Sequence, residues 1–170
     1  MVLNVNNAIL SPLQHRINSS VSYVELNGEE HNIIYSNIEK GIFNTDRIFL
    51  DPFFSFEQAY TRYVNWIQDE CKKGAQLYEI QYKGVGIGFF TLKKINENTY
   101  FPFLAGMYPD QPHAGLGYSI VRKPIEKVIS LNGKKISTYI SSNNTVIYQI
   151  QTKQGFIPHE SRYIFIKHNK

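Results

Sequence analysis

Between two periodic segments the chain runs Pro109-Asp110-Gln111-Pro112-His113-Ala114-Gly115-Leu116-Gly117-Tyr118, and here its residue types come nearest to chemistry. Two closely spaced glycines open a helical pattern, so backbone N–H groups and the positive end of a helix dipole face whatever approaches. Gly115 and Gly117 lack the side chains that would hold an anion away from the backbone. The chemistry implied is phosphate binding by the main chain of His113, Ala114, Gly115, Leu116, Gly117 and Tyr118, with His113 acting through its N–H rather than its imidazole. A tight strand-to-helix turn would show the same two glycines. There is no third glycine for a dinucleotide fingerprint, and no Gly-Lys-Ser/Thr for a nucleoside-triphosphate loop.

The elements that must position this loop are legible on both sides. Alternation over Val21–Leu26 predicts a strand. Asn27 with Glu30 three residues on is a capping-box pattern, and Ile33, Ile34 and Ile38 stripe a helix that ends near Gly41. Residues 42–54 read as a loop. Ser55 with Gln58 caps a second helix, which docks by Phe56, Ala59, Tyr60, Tyr63, Trp66 and Ile67 and stops at Gly74. Strands are expected over about 76–82, 85–93 and 98–107, joined by Tyr82-Lys83-Gly84 and Asn96-Glu97-Asn98. A helix ending at Gly133 follows the glycine loop. Then come a strand over 135–140, a helix over 144–154 and a last strand over 163–167. This order predicts a single α/β domain over 19–170 around one sheet, preceded by a loosely attached extension at 1–18.

The chain has 170 residues, of which 42% are hydrophobic, with 12 Tyr and 11 Phe, a composition that folds around one core. Its net charge of +4 comes from scattered Lys and Arg, without the clustered basic face of a nucleic-acid binder. A single cysteine, Cys71, excludes an internal disulfide and a CxxC metal site, and the histidines are not spaced as ligands, so no metal is expected. No apolar run approaches the ~20 residues that cross a bilayer, and the first residues do not read as a signal peptide, so a cytoplasmic protein is expected.

The surroundings of the glycine loop resemble motif A of the acetyl-CoA-dependent N-acetyltransferases of the Gcn5-related superfamily. Leu104-Ala105-Gly106-Met107-Tyr108-Pro109 is followed six residues after the proline by Gly115-Leu116-Gly117. Asn144, followed eleven residues later by Gly155-Phe156, is similar to motif B, and Gly84-Val85-Gly86-Ile87-Gly88-Phe89 resembles the family's hairpin. The resemblance covers 20–168. It implies a mixed central sheet flanked by helices on both faces, acetyl-CoA as acyl donor and a small-molecule primary amine as acceptor, and it allows a homodimer. It further implies a thioester carbonyl near the main chain of Met107 and a pantetheine contact for Asn144. The stretch Asp46–Phe53, with Tyr63 and Trp66-Ile67 after it, looks like the substrate side of relatives of the TDP-fucosamine acetyltransferase type. These relatives acetylate nucleotide-linked amino deoxyhexoses for surface polysaccharides. In that reading Arg47 grips the nucleotide's phosphates; its bland alternative is an ion pair with Asp46 or Asp51.

The sequence departs from the family pattern at functional positions. Pro112 stands where relatives have Gln or Arg, and it has no N–H to offer. Gln151 stands where many have the tyrosine that protonates the leaving thiolate. A glutamine donates a hydrogen bond but transfers no proton at neutral pH. Tyr148, three residues earlier on the same predicted helix, is either the replacement acid or a packed aromatic. No carboxylate lies on 98–107, where some relatives hold a base. The rival reading is therefore a catalytically weakened module that binds acyl-CoA or a partner.

Overall fold

The computed structural model describes residues 1–110 and 115–168. Seven strands form one sheet in the order β1-β7-β5-β4-β3-β2, with β6 pairing β4 off this path. The strands are β1 (Val2–Asn4), β2 (Val21–Leu26), β3 (Gln76–Tyr82), β4 (Val85–Lys94), β5 (Thr99–Phe101), β6 (Ala105–Met107) and β7 (Lys135–Ser137). The pairing β5·β7 is parallel and the others are antiparallel. Helices α1 (Pro12–Asn18), α2 (His31–Glu39), α3 (Arg47–Leu50), α4 (Phe56–Lys72), α5 (Ser119–Ser130) and α6 (Thr145–Lys153) cover the two faces.

Each face has its own apolar core. On one, Ile120, Val121, Ile125 and Val128 of α5 pack against Tyr78, Ile80, Phe90 and Ile136. On the other, Ile34 and Ile38 of α2 with Tyr63 and Ile67 of α4 cover Leu26, Leu77 and Phe89. This division follows from the period-2 alternation of β3 and β4. The caps behave as their residue types require. The Ser55 hydroxyl accepts from the N–H of Gln58, and the Gln58 side chain accepts from the N–H of Ser55. The carboxylate of Glu30 likewise accepts from the N–H of Asn27. Of the expected docking face of α4, Ala59, Tyr63 and Ile67 are buried, whereas Phe56 is exposed.

Four expectations are corrected, the last of them in the strand before the glycine loop. Residues 1–18 are not loosely attached. Leu3 is 1% exposed, β1 lies along β7 with Val2 opposite Ser137, and Ser11 with Gln14 caps α1. The expected loop at 42–54 contains α3, capped by Asp46. Third, 163–167 forms no strand: on its other side β1 bridges Ile157 through Val2, and Tyr163 and Phe165 lie exposed.

The expected strand 98–107 is two strands. Between β5 and β6, the three residues Pro102, Phe103 and Leu104 oppose only Thr91 and Leu92 of β4. This bulge needs a polar group inside the sheet, because its N–H groups cannot all meet a regular ladder. Fully buried Thr91 supplies it. Its hydroxyl oxygen accepts from the N–H groups of Phe103 at 3.2 Å and Leu104 at 2.8 Å, and donates to the Leu104 carbonyl at 3.0 Å. From the other side the Thr138 hydroxyl donates to the Pro102 carbonyl at 2.9 Å. Replacing Thr91 with Val keeps the volume and leaves two buried N–H groups unpaired. Thr91→Val should lower stability by about 2–3 kcal/mol, while Thr91→Ser, which keeps the oxygen, should lose less. Thermal unfolding of the pair reads the difference; equal losses would assign the effect to the methyl group instead.

Candidate active site

The bulge has a geometric consequence. β7 pairs with β5 before the bulge but not with β6 after it, so the sheet opens into a cleft whose vertex is the Thr138–Pro102 contact. The N–H groups of Leu104's partner Thr91 and of Tyr108 bond across the β4 edge, Tyr108 donating to Ile87 at 2.8 Å. In an antiparallel ladder the peptide groups alternate in direction. Those of Ala105 and Met107 therefore point away from β4 into the cleft, which places the main chain of Met107 as a donor on its wall.

At the mouth stands the start of α5. Gly115 has φ +79°, a left-handed conformation that glycine adopts freely. A Cβ added at Gly115 or Gly117 would meet nothing within 4 Å, so the space over the loop is open. Among the described residues no side chain caps α5. Among the described residues Leu116 accepts from the N–H of Ser119, and no carbonyl accepts from those of Gly117 or Ile120. Leu116 and Tyr118 are buried and anchor the turn, and the Tyr118 hydroxyl donates to the carbonyl of Gln14. His113 and Ala114, with Pro112, lie outside the described residues.

The opposite wall comes from α6, held to α5 by the Gln154 amide donating to the Tyr118 carbonyl at 3.1 Å. Asn144 caps α6: its Oδ1 accepts from the N–H of Ile147, which leaves Nδ2 for a ligand. Gln151 is 5% exposed, and its Oε1, like that of Gln154, is buried with no hydrogen-bond partner among the described residues. Tyr148 is 43% exposed on the same helix and is not a packed core aromatic.

On the face covered by α2 and α4, the chain after α2 crosses β6. Gly106 has no Cβ because the Ile42 side chain occupies that place. Asp46 caps Ile48, accepts from the Tyr63 hydroxyl and pairs with Arg47 at 3.5 Å. Burial, and then the hydrogen bond to Asp46, push the Tyr63 phenol well above its usual range. Arg47 thus takes the ion-pair partner Asp46, and its guanidinium keeps a part-exposed side to solvent. Asp51 pairs with His168 instead. Further along this face, Tyr108 donates to the carboxylate of Glu79 at 3.2 Å, and burial with the adjacent negative charge raises the Tyr108 phenol.

No family model matches the sequence, and no curated protein matches it. Solved structures do match. The PaiA N-acetyltransferase of Thermoplasma acidophilum, in complex with coenzyme A, superposes with a TM-score of 0.61 at 14% identity, over 84% of this chain and 93% of its own. The spermidine N-acetyltransferase of Vibrio cholerae, in complex with coenzyme A and spermine, gives 0.61 at 18% identity over 88% and 89%. An Elizabethkingia anophelis acetyltransferase with acetyl-CoA bound gives 0.54 at 14% over 83% and 78%. The fold is that of the Gcn5-related N-acetyltransferases.

Within this fold Met107, Gly115, Leu116, Gly117, Tyr118, Asn144, Tyr148 and Gln151 come from the elements that border one cleft, with Arg47 apart from them on the α3 side. Thr91 and Thr138, which hold the bulge, were not singled out by the sequence. Pro102, inside an expected strand, was the one local signal that the strand must break. Among the described residues no cluster of His, Cys, Asp and Glu is placed to hold a metal, and no helix is long and apolar enough to cross a membrane.

Proposed function

We propose that this chain transfers an acetyl group from acetyl-CoA to a primary amine. The observation that carries the reading is the split sheet, whose unpaired β6 edge runs toward an uncapped helix start at Gly115–Tyr118. That start is suited to the donor's pyrophosphate. The Met107 N–H is suited to the thioester carbonyl, where negative charge develops in the transition state. Asn144 Nδ2 meets the pantetheine arm, and the orphaned Oε1 of Gln151 takes one of its N–H groups. The amine attacks the carbonyl carbon, the C–N bond forms and the C–S bond breaks. Gln151 cannot protonate the thiolate, so the exposed Tyr148 hydroxyl does.

For the acceptor we propose the amino sugar of a nucleotide-activated deoxyhexose. Two of the structural relatives above are solved with coenzyme A, and one of these also carries spermine. A polyamine is a weak candidate here, because a net charge of +4 repels polycations and draws a diphosphate. Arg47, displaced from Asp46, is the residue that would grip that diphosphate. A weakened, non-catalytic module is the second reading, favoured by Pro112 and Gln151 at positions where relatives carry other residues.

Acetyl-CoA should raise the Tm by mass action. Gly117→Val should abolish this shift with the free protein's Tm little changed, since the site is open and, unlike Gly115, does not need a left-handed backbone. A variant that binds as the parent does would sink the phosphate assignment. In a thiol-release assay, Tyr148→Phe should lower kcat by roughly 10²-fold at unchanged KM for acetyl-CoA; full activity would remove Tyr148 as the acid. Arg47→Ala should raise KM for a dTDP-linked amino sugar far more than KM for acetyl-CoA. Equal effects would leave a small-molecule amine acetyltransferase without the nucleotide-sugar assignment.

A further inference from the structure

The chain after Ile157 has strand composition but no strand to join, because β1 already fills the place beside β7. Over 163–167 no residue makes a hydrogen bond among the described residues, and Tyr163 and Phe165 are exposed. Two ties keep this segment on the domain. The first is at Tyr139, the residue after Thr138 at the vertex of the cleft. Its hydroxyl donates to Glu160 at 3.1 Å, and Arg162, paired with Glu160 at 2.8 Å, lays its guanidinium over the Tyr139 ring 4.9 Å from the centroid. The Tyr139 ring in turn meets Phe101 edge-on at 5.6 Å.

The second tie is at the far end. A carboxylate can only accept, so the Nε2–H of His168 donates to Asp51 Oδ2, at 3.0 Å. The His168 ring stacks on Phe53 with centroids 4.1 Å apart and planes 18° from parallel, and Phe54 closes on it at 5.6 Å. The receiving turn is fixed independently of the histidine. Asp51 Oδ1 accepts from the N–H of Phe53 at 3.0 Å, and the Asp51 carbonyl accepts from that of Phe54 at 3.1 Å. One oxygen of Asp51 builds the turn while the other holds His168.

The ties stand on opposite walls of the cleft. Tyr139 continues the chain of β7, whereas Asp51 and Phe53 follow α3, in the segment that lies on β6 where Ile42 fills the place of a Gly106 Cβ. Both are on the α2/α4 face, since Phe101 and Phe49 pack in the core there. The start of α5, to which the donor's pyrophosphate is assigned, belongs to the other face. The six residues from Arg162 to His168 reach at most about 20 Å, or about four strand spacings, which leaves no slack for a detour around the molecule.

We propose that residues 158–168 are a strap across the acceptor's entrance, and that His168 on Asp51 and Phe53 is its latch and limits which amines enter. This rests on the acetyltransferase reading above: acetyl-CoA fills the cleft from the α5 face and leaves the opposite opening to the amine. Closed, the strap keeps water from the thioester. Opening it breaks no ladder, so the latch alone sets how often the entrance is free, and the domain need not unfold.

Calorimetry with acetyl-CoA comes first: a parent protein that does not bind it sinks the acetyltransferase reading itself. Given binding, His168→Ala and a chain ended after Arg162 should both bind acetyl-CoA as the parent does, with Tm little changed. The acceptors for a thiol-release assay are hydroxylamine, glucosamine and a dTDP-linked amino sugar. Both variants should raise kcat/KM for the larger amines relative to hydroxylamine by roughly 10-fold, the weight of one hydrogen bond and one ring contact. Thiol release without any amine should rise as well. His168→Phe, which keeps a ring on Phe53 and loses the hydrogen bond, should fall between parent and His168→Ala. In proton NMR spectra Phe53 should shift the His168 ring signals upfield in the parent, and Phe53→Leu should remove that shift. An unchanged ratio, an equal change for every amine, or a His168 ring without the shift would overturn the proposal.

Discussion

The site depends on one buried hydroxyl. Thr91 takes two N–H groups and gives one proton to a carbonyl at the point where the strand opposite β4 carries one residue too many. Without that oxygen the extra residue would leave main-chain donors unpaired in the core, at a cost of a few kcal/mol. With it, the strand continues in a new direction, β6 separates from β7, and an edge that would otherwise be hydrogen-bonded faces a cleft. Thr138 closes the vertex from the other side. Together the two threonines hold open the cleft that β6, the start of α5 and α6 border.

The walls of the cleft combine different kinds of incompleteness. Among the described residues the helix start at Gly115–Tyr118 has no capping side chain, the edge of β6 away from β4 has no strand beside it, and the side chains of Gln151 and Gln154 each bury an acceptor without a donor. A domain ordinarily satisfies nearly all such groups. Charged side chains away from the cleft are met: Asp46 accepts from a main-chain N–H, a phenol and a guanidinium, and Glu126 is held by Arg122, Lys123 and Asn18. Among the described residues a third buried acceptor without a partner, Asn18 Oδ1, lies outside the cleft.

What could be read in advance follows from the range of each interaction. The Ser55–Gln58 and Asn27–Glu30 caps are local patterns, spanning three residues, and they were legible. The Thr91 contacts join residues twelve and thirteen apart, and Thr91 within a run of strand formers has nothing to distinguish it. Glu79 likewise read as one polar residue in an alternating strand. Only the pairing of β3, β4 and β6 shows that it reaches Tyr108, 29 residues away. The last strand failed for a related reason. Tyr163–Lys167 has strand composition, but composition does not reserve a neighbour, and the place beside β7 is filled by β1.

That seating of β1 sets an order of events during synthesis. Val2 lies between Ser137 and Ile157, so the residues of β1 wait for residues made some 135 and 155 positions later before their ladder can close. Until then Leu3 and Val5, both core residues, have no sheet to join. Contacts of such separation are slow to form. The hairpin of β3 and β4 and its neighbour β2 can assemble before β7 is made, but the edge beyond β7 is finished late, by a segment made long before β7 itself.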